Sequence, residues 1–97
     1  MFIVWLTYKV ELTVVEQHLA AHIEYLNKYY AQGNFIASGR KVPRTGGVIL
    51  ANALSRQALD AILQEDPFYI EDIAEFEVTE FIPTMTADAF EGLKQLD

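Results

Sequence analysis

The sequence predicts an α+β fold: a four-stranded antiparallel sheet with two helices on one face and a short helix at the C-terminal end. Three patterns carry that prediction. Phe2 to Tyr8 is an almost unbroken apolar and aromatic run, as in a strand covered on both faces. Val15, Leu19, His22, Leu26 and Tyr29 recur at spacings of four and three, which lays them along one side of a helix. Glu75 to Phe81 alternates polar and apolar side chains, the period of a half-exposed strand. The 97 residues suffice for a single domain, 1–97, built on one core.

Taken in order, Phe2 to Tyr8 is the central strand. Thr13-Val14-Val15-Glu16 has the form of a capping box, in which Thr13 accepts from a free amide and Glu16 reaches back, so the first helix is expected to begin near Val14. Gly33 is its natural stop. Phe35 to Lys41 and Gly46 to Ala51 read as the second and third strands, joined like a hairpin across Pro43 and the glycines. Ser55 caps a second helix that carries Ala58, Leu59, Ile62 and Leu63; Asp66-Pro67 ends it and opens another short helical turn. After the fourth strand and Pro83, Thr86 is placed to cap a terminal helix through Leu96. The order βαββαβ is the ferredoxin-like plan. Two helices cover only one face of such a sheet, yet the first and third strands are apolar on both faces. The sheet of a second copy would supply the missing cover, so a homodimer is expected, in the form of a dimeric α+β barrel.

Composition narrows the chemistry. The chain is 52% apolar and only 22% charged, the profile of a folded domain rather than a disordered one. It has no cysteine, which removes disulfides, thiolate nucleophiles, iron–sulfur clusters and Cys-ligated zinc and leaves His, carboxylates, Ser, Tyr and Arg. A net charge of −7 repels phosphate backbones, so nucleic acid is not an expected partner. Arg40, Lys41 and Arg44 nevertheless fall within five positions, a local positive spot suited to a small anion. The apolar opening lacks a basic leader and stops at Thr7-Tyr8-Lys9, short of a signal peptide or a membrane span, which implies a cytoplasmic location with no membrane partner. No GxGxxG, Walker-type or nucleophile-elbow motif occurs.

A set of short motifs in a fixed order adds to this reading: His22 with Leu26 four residues on, Gly33 eleven residues after the histidine, Ser38-Gly39, Gly46-Gly47, and Asp66-Pro67-Phe68. In these the chain, from about His22 to Pro83, resembles the YciI-like family, which is similar in fold to muconolactone isomerases and other dimeric α+β-barrel proteins. The resemblance implies a site in the cleft between helix and sheet, with His22 and Asp66 as its catalytic pair. Family members of known activity look like lyases or dehydrochlorinases acting on substituted hydroxylated aromatics. One departure stands out: the family often has Gly-Pro where this chain has Gly39-Arg40, which puts a guanidinium in place of an apolar ring near the pocket.

Each candidate also has a structural reading. His22 lies within an apolar stripe and would serve equally as a packed, hydrogen-bonded core residue; as a catalyst, its imidazole can take and return a proton near neutral pH once a partner fixes its tautomer. Asp66 before Pro67 is a standard helix cap, and it can also orient and charge-compensate His22. In the βαββαβ plan the turn after the second helix returns near the middle of the first, which predicts His22 and Asp66 within hydrogen-bond reach. A His22 that borders a cavity is further expected to tolerate alanine with folding near normal. Ser38 and Arg40 share a strand face and are either a solvated strand end or a substrate-binding pair for an anionic or phenolic oxygen. His18 and His22 have metal-ligand spacing, but no third ligand is evident and no metal or cofactor is expected. Glu80 shares a strand face with Phe76, Val78 and Ile82 and reads either as a solvated strand-end carboxylate or as one that reaches the interface or pocket. The numerous aromatics, Trp5, Tyr8, Tyr25, Tyr29, Tyr30, Phe68 and Tyr69, serve core and dimer contact or line a pocket for a planar ligand. The expected function is a cofactor-independent, lyase- or isomerase-type enzyme using a His22/Asp66 acid–base pair on a small anionic or aromatic molecule. The alternatives are a non-catalytic dimer that binds a small ligand or a protein, and a monooxygenase of the related barrels.

Overall fold

Side-chain alternation on the first strand decides which face of the sheet is the inside. The computed structural model describes residues 1–95. In chain order the elements are β1 (Phe2–Tyr8), α1 (Leu12–Ala31), β2 (Phe35–Arg40), β3 (Gly46–Ala51), α2 (Arg56–Leu63), α3 (Pro67–Ile70) and β4 (Ala74–Glu80), followed by a 3₁₀ segment, Asp88–Leu93. Phe2, Val4 and Leu6 of β1 are buried beneath the helices, while Ile3, Trp5 and Thr7 alternate to the other face. The sheet order is β2-β3-β1-β4, every pair antiparallel, which is the predicted ferredoxin-like α+β arrangement. Val4 aligns with Ile49 on one side and Val78 on the other, and Leu6 with Gly47 and Phe76, so the rows under the helices are continuous across strands.

Strand β2 breaks the simple alternation. Phe35 pairs with Ala51 and Ala37 with Leu50, a register shift that leaves Ile36 as an extra residue. Beyond this bulge, Ser38 pairs with Ile49 and Arg40 with Gly47, both in the helix-side rows. Unbroken alternation from the inward Phe35 would have turned Ser38 and Arg40 away from the helices; the bulge turns them in. At the start of β3 the chain also needs glycine, because a Cβ on Gly46 would sit 1.7 Å from the carbonyl oxygen of Leu6.

The first helix buries Val15, His22, Tyr25 and Tyr29 against the sheet and ends before Gly33, whose φ of +82° suits only a residue without a Cβ. Its start departs from the sequence expectation. The helix begins at Leu12 after Glu11, with no side-chain cap, and the Thr13–Glu16 capping box does not form. Glu16 is drawn away by Arg44 of the β2–β3 connection, whose Nη1 lies 3.2 Å from its Oε1. Ser55 caps α2 as expected, accepting from the Ala58 amide, and Asp66 caps α3, accepting from the Phe68 amide with Pro67 in the first turn. Leu59, Leu63, Phe68 and Ile73 complete the core under α1. The terminal helix is shorter than predicted: it is a 3₁₀ segment following Ala87 rather than one capped by Thr86, and Leu96 lies outside the described residues.

Candidate active site

His22 sits midway along α1, in the stripe that faces the sheet, and its Nδ1 lies 2.8 Å from Oδ1 of Asp66. That oxygen also accepts from the Phe68 backbone N–H at 2.9 Å, so it is an acceptor toward the ring as well. The pattern assigns the imidazole proton to Nδ1 and the lone pair to Nε2. The Phe68 ring lies parallel to the imidazole, centroids 4.0 Å apart and planes within 2°, and holds it in place from one side. Two residues of this turn therefore act on His22, Asp66 binding it and Phe68 clamping it, while Pro67 between them starts the turn without forfeiting a helical N–H.

Burial separates the two ends of the ring. Asp66 is fully buried, and its Oδ2 is the single buried side-chain polar atom without a hydrogen-bond partner among the described residues. His22 Nε2 makes no hydrogen bond either, yet it is not among the sealed atoms, and the residue lines a cleft. The imidazole is thus fastened at its inner nitrogen and open at its outer one. Its burial and its dependence on a buried carboxylate correct one expectation: alanine at position 22 would strand the Asp66 carboxyl in the core, so folding near normal is not the outcome the structure supports. Tyr25 stands beside the pair, its ring centroid 6.3 Å from that of His22. Burial, and secondarily the neighbouring Asp66, pushes its hydroxyl well above the ordinary phenol range, and the hydroxyl donates to the Ile62 carbonyl at 2.8 Å.

The cleft, about 470 Å³ in volume, runs between α1 and the helix side of the sheet. Leu19, Ile23 and Leu26 form its helical wall, Leu6, Gly47 and Ile49 its floor, and Ser38 and Arg40 its far wall. The structure therefore brings all four candidate residues, His22, Asp66, Ser38 and Arg40, to one place, three lining the cleft and Asp66 behind His22. Ser38 Oγ lies 2.6 Å from the Tyr30 hydroxyl, a partner the sequence did not indicate. The basic trio divides: Arg40 and Arg44 line the cleft, whereas Lys41 donates to Thr7 Oγ1 at 3.1 Å on the opposite face of the sheet. Glu16 and Ile23 line the cleft without having been singled out as site residues; Ile23 is next in sequence to His22, at the margin of the stripe. Of the aromatics, Tyr8 and Phe68 line the cleft, Tyr25 and Tyr29 belong to the core, and Trp5 and Tyr69 are exposed. His18 stands away from the cleft, and among the described residues no group of three or more His, Cys, Asp or Glu side chains is gathered to hold a metal ion.

Comparison with known proteins meets this geometry. The sequence profile of the YCII-related domain matches residues 1–82. The chain belongs to that family. No curated protein sequence matches it. In structure it is similar to 5-chloro-2-hydroxyhydroquinone dehydrochlorinase (TftG) of Burkholderia phenoliruptrix, solved in complex with 2,5-dihydroxybenzoquinone, with a TM-score of 0.74 and 19% identity over 84% of this chain and 93% of that one. At that identity the likeness concerns the fold: this YCII-related chain shares the architecture of the dehydrochlorinase over the matched part of each. No helix among the described residues is long and apolar enough to cross a membrane.

Proposed function

We propose that the chain is a cofactor-independent enzyme of lyase or isomerase type, in which His22 is the general acid/base and Asp66 its orienting carboxylate. One observation carries this: Nδ1 is committed to Asp66 at 2.8 Å, while Nε2 of the same ring is unpaired and unsealed on a residue that lines the cleft. Nε2 takes a proton from an acidic C–H or O–H of the substrate; the electron pair left behind either expels a leaving group, as in elimination, or is reprotonated at another carbon, as in isomerisation. The positive charge that forms on the imidazolium lies against Asp66, whose burial makes that stabilisation strong. Ser38 and Arg40 on the opposite wall bind a substrate oxygen. The structural neighbour is by name a dehydrochlorinase bound to a planar dihydroxybenzoquinone, and a hydroxylated ring of that size suits a cleft of about 470 Å³.

The test is turnover of a panel of chlorinated hydroxyhydroquinones and chlorinated dihydroxybenzoates, followed by chloride release and absorbance, with His22→Gln as the variant because glutamine keeps a polar group against Asp66. A drop in kcat of about 100-fold or more, with Tm little changed, is the expected result. Turnover that persists in His22→Gln overturns the mechanism, and a panel that binds without reacting leaves the cleft as a recognition site only.

The same reading includes a homodimer. On the helix-free face, Ile3, Val48 and Leu50 are half-buried and Trp5 is 38% exposed, with Glu75, Glu77 and Thr79 of β4 along one side. A second copy laid on this face would bury the apolar strip and leave the carboxylates at its rim. Light scattering should give about 22 kDa, twice the 11.0 kDa of one chain. A species of one chain's mass at micromolar concentration would exclude it.

A further inference from the structure

Of the three arginines, Arg44 pairs with Glu16 and Arg56 with Asp60, while Arg40 has neither an ion-pair nor a hydrogen-bond partner among the described residues. It is also the arginine that the β2 bulge turns toward the helices, opposite Gly47, and it lines the cleft. We propose that Arg40 is a specificity-determining residue that selects substrates bearing one carboxylate group, held on its guanidinium while the rest of the molecule reaches across the apolar floor to His22. The inference rests on the reading of the cleft as a small-molecule site and adds to it the class of molecule.

Three features of the cleft point to a single carboxylate. A guanidinium presents two parallel N–H donors at the spacing of a carboxylate's oxygens, and an unpaired one offers both. Among the charged side chains that line the cleft, Arg44 and Glu16 cancel at 3.2 Å, and Arg40 alone has no opposite partner. A second negative charge on the ligand would meet Glu16 with no free cation to offset it. Apart from Arg40 and the Arg44–Glu16 pair the lining is chiefly apolar, Leu6, Leu26 and Ile49 among it, so the remainder of the ligand is apolar or a flat ring.

The experiment compares two probes with the same ring, 2,5-dihydroxybenzoate and 1,4-dihydroxybenzene, binding to the full chain by titration calorimetry. Wild type should bind the carboxylate probe about tenfold or more tightly than its partner, and the preference should weaken with added salt. Arg40→Gln should abolish the preference without lowering Tm, since Arg40 is exposed and unpaired. Arg40→Lys should retain part of it, a point charge without the fork. Glu16→Gln should move the other way and tighten binding of 2,5-dihydroxybenzoate, because it frees Arg44. Equal binding of the two probes by wild type, binding of neither at millimolar concentration, or an unchanged preference in Arg40→Gln overturns the proposal. Because affinity is read rather than turnover, the two readings fail separately. Persistent turnover in His22→Gln would sink the proton-transfer mechanism and leave the carboxylate preference standing, whereas an unchanged Arg40→Gln would sink this inference and leave His22 untouched.

Discussion

Two neighbouring carboxylates, Glu65 and Asp66, both reach from the end of the second helix to the first, and they differ in almost everything else. Glu65 receives the Lys28 ammonium and the Tyr29 hydroxyl at the surface, its side chain 46% exposed, whereas Asp66 receives the His22 ring and the Phe68 amide with no exposure at all. The surface contact is a latch whose partners water can replace. The buried one leaves its members no alternative, so it fixes a ring orientation as well as a distance. A tie between helices becomes a candidate for chemistry when it is dry on one side and open on the other, and only the His22–Asp66 tie meets that condition.

The contrast can be broken most severely at Asp66. Asp66→Ala removes a helix cap and leaves both the His22 Nδ1–H and the Phe68 N–H without a partner in the core, a loss of about 3 kcal/mol or more. In a 97-residue domain that amounts to a fall in Tm of roughly 15 °C, measurable by circular dichroism. Asp66→Asn sharpens the comparison, because the amide still caps α3 but supplies no charge against an imidazolium. Its stability loss should be the smaller of the two, yet kcat should fall about 100-fold or more on any substrate found. A variant that keeps full activity would show that the pair is structural. The smallest effect belongs to Glu65→Gln, for which a Tm change of about 3 °C or less is expected at neutral pH. Its pH dependence has a definite sign. The Tyr29 hydroxyl, and after it the Lys28 ammonium, hold the Glu65 carboxyl below the usual glutamate range. The stabilisation is therefore present above the ordinary glutamate value and is lost as pH falls through the depressed one. Melts of wild type and Glu65→Gln should differ at neutral pH and converge on acidification; a difference that grows in acid would contradict the assignment.

Much of this arrangement was legible in the sequence, and the exceptions have identifiable causes. Strand β1 and the start of β3 stand where the apolar runs place them, because period and propensity agree there. The meeting of His22 and Asp66 followed from topology, since βαββαβ returns the chain to the middle of α1. The start of α1 was missed because a local capping pattern cannot see Arg44, 28 residues away, which takes Glu16 for itself. Tyr25 fell outside the stripe although it is three residues from His22 and buried, since a stripe traced through single positions is narrower than the face a helix buries. The bulge at Ile36 was invisible for a deeper reason. Period two told correctly that Ser38 and Arg40 share a face, but which face depends on an extra residue that leaves no mark in composition. The Tyr30–Ser38 contact depends on that same register and was hidden with it.

The parallel stack of Phe68 on His22 has a magnetic consequence. A benzene ring whose centre lies 4.0 Å away in a parallel plane shields whatever lies above its face, so the carbon-bound protons of the His22 imidazole resonate upfield of their usual positions. The chain has only one other histidine, His18, which has no such stack among the described residues, so the two imidazoles are told apart by their carbon-bound proton shifts. The protonation of His22, and its response to any molecule entering the cleft, can be followed at a single residue without a label, by an aromatic clamp that doubles as the reporter of what it holds.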